Sequence, residues 1–93
     1  MKLLNDLELT SKLPSGWMYA ASKKSIEKEF KCENFLSAVA FIGKIATEAE
    51  AMDHHPDIFL HSYNKVFVTL STHSAGGVTE LDLTLATKID SLH

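Results

Sequence analysis

Apolar residues recur along this chain in two rhythms, one helical and one of strict alternation, and the switches between them mark out the elements. Leu3, Leu4 and Leu7 stand at helical spacing and predict a short first helix ending before Leu13-Pro14-Ser15-Gly16, a turn cluster. Trp17, Met18 and Tyr19 follow as a short strand. Between Ser25 and Cys32 the rhythm is ambiguous, because Ile26 and Phe30 fit a helical i,i+4 pair as well as two same-face positions of a strand, and the Glu and Lys content favours helix. From Asn34 to Asp53 the pattern is plainly helical. Phe35, Ala38, Val39, Ile42, Ile45, Ala46, Ala49 and Met52 form one broad stripe, and Asn34 suits the N-cap. Pro56 is expected to end this helix, since proline disfavours helical geometry in the residue before it, leaving His54 and His55 at its C-terminal end. Tyr63 to His73 switches to alternation: Val66, Val68 and Leu70 share one face, and His73 belongs by parity to the mixed face with Lys65, Phe67, Thr69 and Ser71. Gly76-Gly77 makes a turn. Thr79-Glu80-Leu81-Asp82 reads as a capping box with Asp in place of Glu, opening a last helix to about Leu92 with a stripe of Leu81, Leu85, Ile89 and Leu92.

With 93 residues the chain makes a single domain, 1–93, without repeats or linkers. Its hydrophobic share of 45% and charged share of 23% are those of an ordinary soluble globular protein. A formal net charge of -3 argues against a nucleic-acid backbone as partner, because counterion release needs a basic face and Lys23-Lys24 is the only basic pair. Cys32 is the only cysteine, which rules out an intrachain disulfide and suits a reducing compartment. The first residues carry no signal-peptide pattern, and no stretch approaches the roughly 20 apolar residues of a membrane span. A soluble, cytoplasmic protein is expected.

What the patterning leaves over is a set of polar residues: Glu50, His54-His55-Pro56, Tyr63, Thr72-His73 and Asp82. Histidine is the side chain that gives and takes protons near neutral pH, so the excess points to proton transfer. Glu50 and His54 stand i,i+4 on one helix face, where the carboxylate is expected to orient the imidazole; a surface ion pair is the plainer alternative. His55 points away from its neighbour and turns toward another wall of the same cleft. His73 ends a strand, a rigid mount for a side chain that projects into a cleft, although a solvated loop histidine explains it equally well. Asp82, at the third position of the last helix, has a capping role in any case. His61 and His93 have no partners in the pattern and are expected at the surface. By residue type His54, His55, His73, Asp53 and Asp82 could all bind zinc, but adjacent histidines rarely chelate one ion and no HExxH or CxxC spacing occurs. Cys32 has no helper in sequence, no GxSxG elbow exists, and no glycine-rich phosphate loop is present.

Glu50-x3-His54-His55-Pro56, six residues, Tyr63, nine residues, His73, eight residues and Asp82 together resemble the signature of the pterin-4a-carbinolamine dehydratases. The likeness continues through Gly16-Trp17, Ile26-x3-Phe30, Phe35 with Ala38, Ala49-Glu50, Tyr63-Asn64-Lys65-Val66 and Gly76-Gly77-x-Thr79-x2-Asp82, covering nearly the whole chain from Trp17 to Asp90. It implies an α+β fold of two layers, a four-stranded antiparallel sheet with helices on one face, and so a strand at Ser25 to Cys32. It also implies homodimers that may pair into homotetramers.

The activity implied is removal of water from a 4a-hydroxy-tetrahydropterin to give quinonoid dihydropterin, the step that recycles the cofactor of aromatic amino acid hydroxylases. Such chemistry asks for an acid and a base; the pterin is substrate, and neither a cofactor nor a metal is implied. On the resemblance His54 and His73 form the acid/base pair, His55 binds and orients the substrate, Glu50 holds the His54 imidazole, and Asp82 supports the site from the last helix. Asp53 and the edge Ser71, Thr72, His73 and Ser74 would hydrogen-bond the flat pterin, with Trp17 as a wall. Three features depart from the family pattern: the longer spacing between Pro56 and Tyr63, Ile58 where animal members usually carry tryptophan, and Cys32 where phenylalanine is common. Some animal members also serve as dimerisation cofactors of a homeodomain transcription factor, which makes a non-catalytic binding protein the alternative; a metal-dependent hydrolase is the weaker third.

Overall fold

Each of the three helices begins where a side chain and a backbone amide cap one another. In the computed structural model, which describes residues 2–93, Asn5 and Glu8 close such a box at the start of α1 (Asp6–Lys12), Asn34 and Ser37 at α2 (Phe35–Met52), and Thr79 and Asp82 at α3 (Glu80–Leu92). Each box satisfies amides that the first turn would leave without partners. Between the helices run β1 (Met18–Ala20), β2 (Ser25–Lys31), β3 (Asp57–His61) and β4 (Lys65–Leu70), forming an open antiparallel sheet in the order β1-β2-β4-β3. The fold is therefore α+β, as the resemblance implies, and Ser25–Lys31 is a strand.

Register follows the alternation of the strands. Ile26 lies opposite Leu70, Phe30 opposite Val66 and Ile58 opposite Val68, so one face of the sheet is aliphatic and aromatic. Ile26, Val66, Val68 and Leu70 are fully buried there against Ala38, Phe41, Ile45 and Ala49 of α2 and Leu85, Ala86 and Ile89 of α3. The opposite face carries Glu27, Glu29, Phe67, Thr69 and Phe59, none of them buried.

Three expectations from the sequence need correction. The first helix starts at Asp6, three residues after Leu3, because the Asn5–Glu8 box sets its start. Leu4 instead bonds to the Val78 carbonyl at 2.9 Å, Leu7 is exposed, and Leu9 is the residue that enters the core. The buried stripe of α2 is narrower than expected and shifted: Phe41 belongs to it, whereas Phe35, Val39 and Ala46 face outward. The strand expected from Tyr63 to His73 is cut at both ends, since Ser62 and Tyr63 take left-handed conformations (φ 50° and 56°) and regular pairing stops at Leu70. That turn joins β4 to β3, a short strand whose alternation of Ile58 and Leu60 carries little signal by itself.

At the far end of α3 a clamp holds the N-terminal loop to the sheet. Asp90 accepts hydrogen bonds from the Trp17 indole at 3.1 Å and from Lys28 Nζ at 2.8 Å, and Lys28 lies 4.8 Å from the centre of the Phe30 ring. Gly16 precedes it at φ +89°, and a Cβ there would stand 3.0 Å from Lys28 Cε. Replacing Asp90→Ala leaves the buried indole N–H without an acceptor and should lower stability by about 1–3 kcal/mol. The check is a urea titration: a lower midpoint with an unchanged slope is expected, and a midpoint equal to that of the native chain would show that the clamp contributes nothing.

Candidate active site

The end of α2 reverses on a non-glycine residue. Asp53 takes a left-handed conformation (φ 50°), its amide reaches the Glu50 carbonyl, and the His54 amide reaches the Ala49 carbonyl, both at 3.1 Å. This pairing satisfies the last carbonyls of the helix, and aspartate tolerates the conformation better than most side chains. It is this reversal at Asp53, three residues before Pro56, that ends the helix. It also turns His54 inward, toward the start of α3.

There His54 Nε2 lies 2.6 Å from Asp82 Oδ1. The His54 side chain is 10% exposed and the Asp82 side chain not at all. The second oxygen of Asp82 accepts from the Thr79 amide at 2.9 Å and from the Thr72 hydroxyl at 2.8 Å. The Thr72 and Thr79 hydroxyls meet at 2.8 Å. Thr72 is held by a single bridge to Gly77, closed by a turn in which Gly76 has φ 79°. Three segments thus supply the cluster: the end of α2, the chain leaving β4, and the first turn of α3. His54 Nδ1 makes no hydrogen bond within the described residues.

Glu50 does not hold His54, as its spacing suggested. Its Oε1 lies 2.6 Å from His55 Nε2, in a pair whose side chains are 77% and 56% exposed. The i,i+4 rule assumes that both residues are helical, and the reversal at Asp53 removes His54 from that face and brings His55 back over the last turn. Glu50 is therefore the partner of His55, and Asp82 the partner of His54.

The remaining expected site residues divide by position. His73 and Ser74 are exposed in a one-turn 3-10 helix (His73–Ala75) that begins one residue after Thr72, so His73 stands just past a strand rather than at its end. Asp53 is exposed beside His54, and Ser71 donates its hydroxyl to the Lys24 carbonyl at 2.9 Å. Trp17 is not a wall of this cluster. Its indole is buried on Asp90, eight residues along α3 from Asp82 and so about 12 Å away along the helix axis. His61 and His93 also have partners: His61 Nε2 lies 2.5 Å from Glu29 Oε1 with the ring stacked on Phe59, and His93 Nε2 lies 2.8 Å from the Lys31 carbonyl with its ring beside Phe30 and Phe41.

Burial pushes the Cys32 thiol up from its ordinary value, which lowers its thiolate content and its reactivity. Cys32 lines a cavity of about 400 Å³ with Lys31, Phe41, Lys44, Leu92 and His93, at the opposite end of α3 from Asp82. Among the described residues no group of three or more His, Cys, Asp and Glu side chains converges as a metal site. One contact of the cluster escaped sequence reasoning. Thr79 was legible as a helix cap, but its hydroxyl contact with Thr72 exists only once β4 and α3 are packed.

Comparison with known proteins bears on this geometry. A family model described as pterin 4 alpha carbinolamine dehydratase matches residues 2–92. A Saccharolobus solfataricus protein provisionally named pterin-4-alpha-carbinolamine dehydratase is 41% identical over 93 residues, covering 100% of this chain and 95% of its own. A Paraburkholderia xenovorans protein with the same provisional name is 47% identical over 77 residues, 83% of this chain and 79% of its own. A crystal structure from Brucella melitensis, described as a transcriptional coactivator/pterin dehydratase, superposes with a TM-score of 0.91 at 39% identity over 98% of both chains. A pterin dehydratase-like protein identified as a RuBisCO assembly factor of the α-carboxysome shares the fold, with a TM-score of 0.70 at 22% identity over 85% of this chain and 90% of that one.

The two histidine–carboxylate pairs differ in what they contribute to stability. Asp82→Ala strips the acceptor from a buried imidazole, a hydroxyl and a helix-start amide, and should cost about 3–5 kcal/mol. His55→Ala breaks an exposed pair and should change stability by less than about 1 kcal/mol. Parallel denaturant titrations compare them, and equal losses for the two variants would contradict the assignment of the buried pair as the structural one.

Proposed function

This chain belongs to the pterin 4 alpha carbinolamine dehydratase family, and from that membership and the geometry around His54 we propose that it removes water from a 4a-hydroxy-tetrahydropterin. The observation that carries this reading is an imidazole anchored through Nε2 at 2.6 Å on a buried carboxylate, with exposed His55 following it in the chain and exposed His73 following Thr72, whose hydroxyl bonds the same carboxylate. In the reaction the C4a–O bond breaks and the oxygen leaves as water with a proton from a general acid. N5 loses its proton to a general base, and the electron pair of that N–H bond closes the C4a=N5 double bond. One proton is delivered and one collected, so the net proton count is unchanged; the acid and base regain their starting states by exchanging a proton through solvent, and neither a nucleophile nor a redox centre is required.

His54 and His73 are the acid and base. His55, held by Glu50, binds and orients the ring, a revision of the role expected for Glu50. Asp53 and the chain from Ser71 to Ser74 supply polar groups to the edge of the pterin; of these the Thr72 hydroxyl is already committed to Asp82, and Asp82 acts on His54 rather than on substrate. The pterin is substrate, and the activity needs no metal or other cofactor. Its place is the recycling of tetrahydropterin spent by an aromatic amino acid hydroxylase, in the cytoplasm. No helix among the described residues is long and apolar enough to cross a membrane.

Association into a homodimer or homotetramer is supported by apolar side chains left exposed on α2 (Phe35, Leu36 and Val39) and by Phe59 on the edge strand β3. A second reading, that the chain acts by binding a transcription factor, draws on the description of the Brucella melitensis relative as a transcriptional coactivator. A buried polar network built around His54 favours the enzyme, since a scaffold has no use for it.

Dehydration of synthetic 4a-hydroxy-tetrahydropterin is the direct assay. The native protein should be active with or without a chelator, and His54→Ala and His73→Ala should each lower the rate by about two decades or more. Unchanged rates in both variants would remove the acid/base assignment, and loss of activity on chelation would bring back a metal-dependent reading.

A further inference from the structure

The hydrogen bonds around Asp82 run in one direction only. The Thr79 amide can only donate, and it donates to Asp82 Oδ2 at 2.9 Å. The Thr72 hydroxyl has one proton, and this also goes to Oδ2, at 2.8 Å. The contact between the two hydroxyls at 2.8 Å therefore needs its proton from Thr79, whose oxygen in turn accepts from the Leu81 amide at 3.3 Å. Every proton in this relay points toward Asp82, whose Oδ2 accepts twice, as an ionised carboxylate does. Its remaining oxygen meets His54 Nε2 at 2.6 Å, and a carboxylate, which has only lone pairs to offer, takes the proton of that contact from the ring. Nδ1 is the nitrogen left free.

We propose that Thr79 and Thr72 are positioning residues which, by orienting Asp82, lock neutral His54 in the Nε2–H tautomer and make Nδ1 the atom that exchanges protons with substrate. The proposal deepens the dehydratase reading and rests on it for the word substrate; the tautomer itself depends only on the network. Neither threonine needs to touch the pterin. Their effect is to fix which end of the imidazole works, and a ring with two inequivalent nitrogens must have that choice made for it before it can serve as acid or base.

One consequence is sharp. In Asp82→Asn the two donors that converge on Oδ2 select the amide oxygen for that position. The amide nitrogen must then take the place of Oδ1 and donate to His54 Nε2, which moves the imidazole proton to Nδ1. The side chain is isosteric with the native one, yet the working nitrogen is blocked.

Nitrogen-15 NMR of uniformly labelled full-length protein reads the tautomer directly. In the native protein at a pH where His54 is neutral, the ring should be protonated on Nε2; in Asp82→Asn it should be protonated on Nδ1, with dehydratase activity lowered by about two to four decades. Thr72→Val and Thr79→Val should each populate both tautomers and lower kcat about ten- to a hundredfold with KM little changed, and Thr72→Ser and Thr79→Ser should recover most of that loss. Thr72→Val leaves the helix cap intact, so it decides the matter even where Thr79→Val fails to fold. An Nδ1–H tautomer in the native protein, or an Nε2–H tautomer retained in Asp82→Asn, would overturn the proposal. A native protein that shows the Nε2–H tautomer but no dehydratase activity would instead overturn the dehydratase reading and leave the network as described.

Discussion

Asp82 is an aspartate with no exposed surface, and the architecture at this end of the molecule follows from what such a group demands. A carboxylate removed from water loses several kcal/mol of hydration and is tolerated only when its oxygens are met by donors. Here the donors are an amide, a hydroxyl and an imidazole N–H, and the carboxylate also sits in the first turn of α3, where the helix dipole favours negative charge. These donors come from residues 28, 10 and 3 positions earlier in the chain. Satisfying one side chain therefore requires the end of α2, the exit from β4 and the start of α3 to arrive at the same place.

The hydrophobic core brings them there. Asp82 lies on the same stripe as Leu85, Ala86 and Ile89, at helical spacings of three, four and seven, and all four are fully buried. Packing that stripe on Ile26, Val66, Val68 and Leu70 leaves the carboxylate no route to solvent. The β3–β4 hairpin returns the chain from the end of α2 to the edge of α3, and the narrow turn at Gly76 keeps Thr72 and Thr79 within hydroxyl contact. Core and site are thus one construction: the apolar residues enforce the burial that makes the polar bonds strong, and the polar bonds fix how the two helix ends meet.

How much of this was legible in the sequence depended on how far each feature reached. The N-cap at Asn34, the capping box at Thr79, the alternation of Val66, Val68 and Leu70, and the extent of α3 are local, and they were readable from spacing and residue type. Strand β2 was not, because Ile26 and Phe30 satisfy both rhythms; the antiparallel pairing with β4 decides it, and only the family resemblance supplied that. Glu50, His54, His55 and Asp82 stood out in the sequence, whereas their pairing was not readable there. Glu50 and His54 are correctly spaced for a helix, but one left-handed residue at Asp53 exchanges the partners, and such a reversal is usually signalled by glycine rather than aspartate. Trp17 seemed a wall because it shares the family motif, and its anchor, Asp90, lies far along the chain.

The two exposed histidines and the buried one answer different physical needs. A group that transfers a proton must meet the reacting atom within a few tenths of an ångström, and an imidazole free to rotate or to change tautomer spends much of its time in the wrong state. Burial of the His54 ring against Asp82 removes both freedoms, at the cost of tying function to the stability of the whole cluster. His55 and His73 keep their surface and with it their conformational freedom; the exposed Glu50 restrains only one of them. A chain of 93 residues has little interior to spare. Spending part of it on four polar side chains makes sense only if the precision gained at one nitrogen outweighs the apolar packing given up, which is the strongest physical reason for reading this cluster as machinery rather than as scaffold.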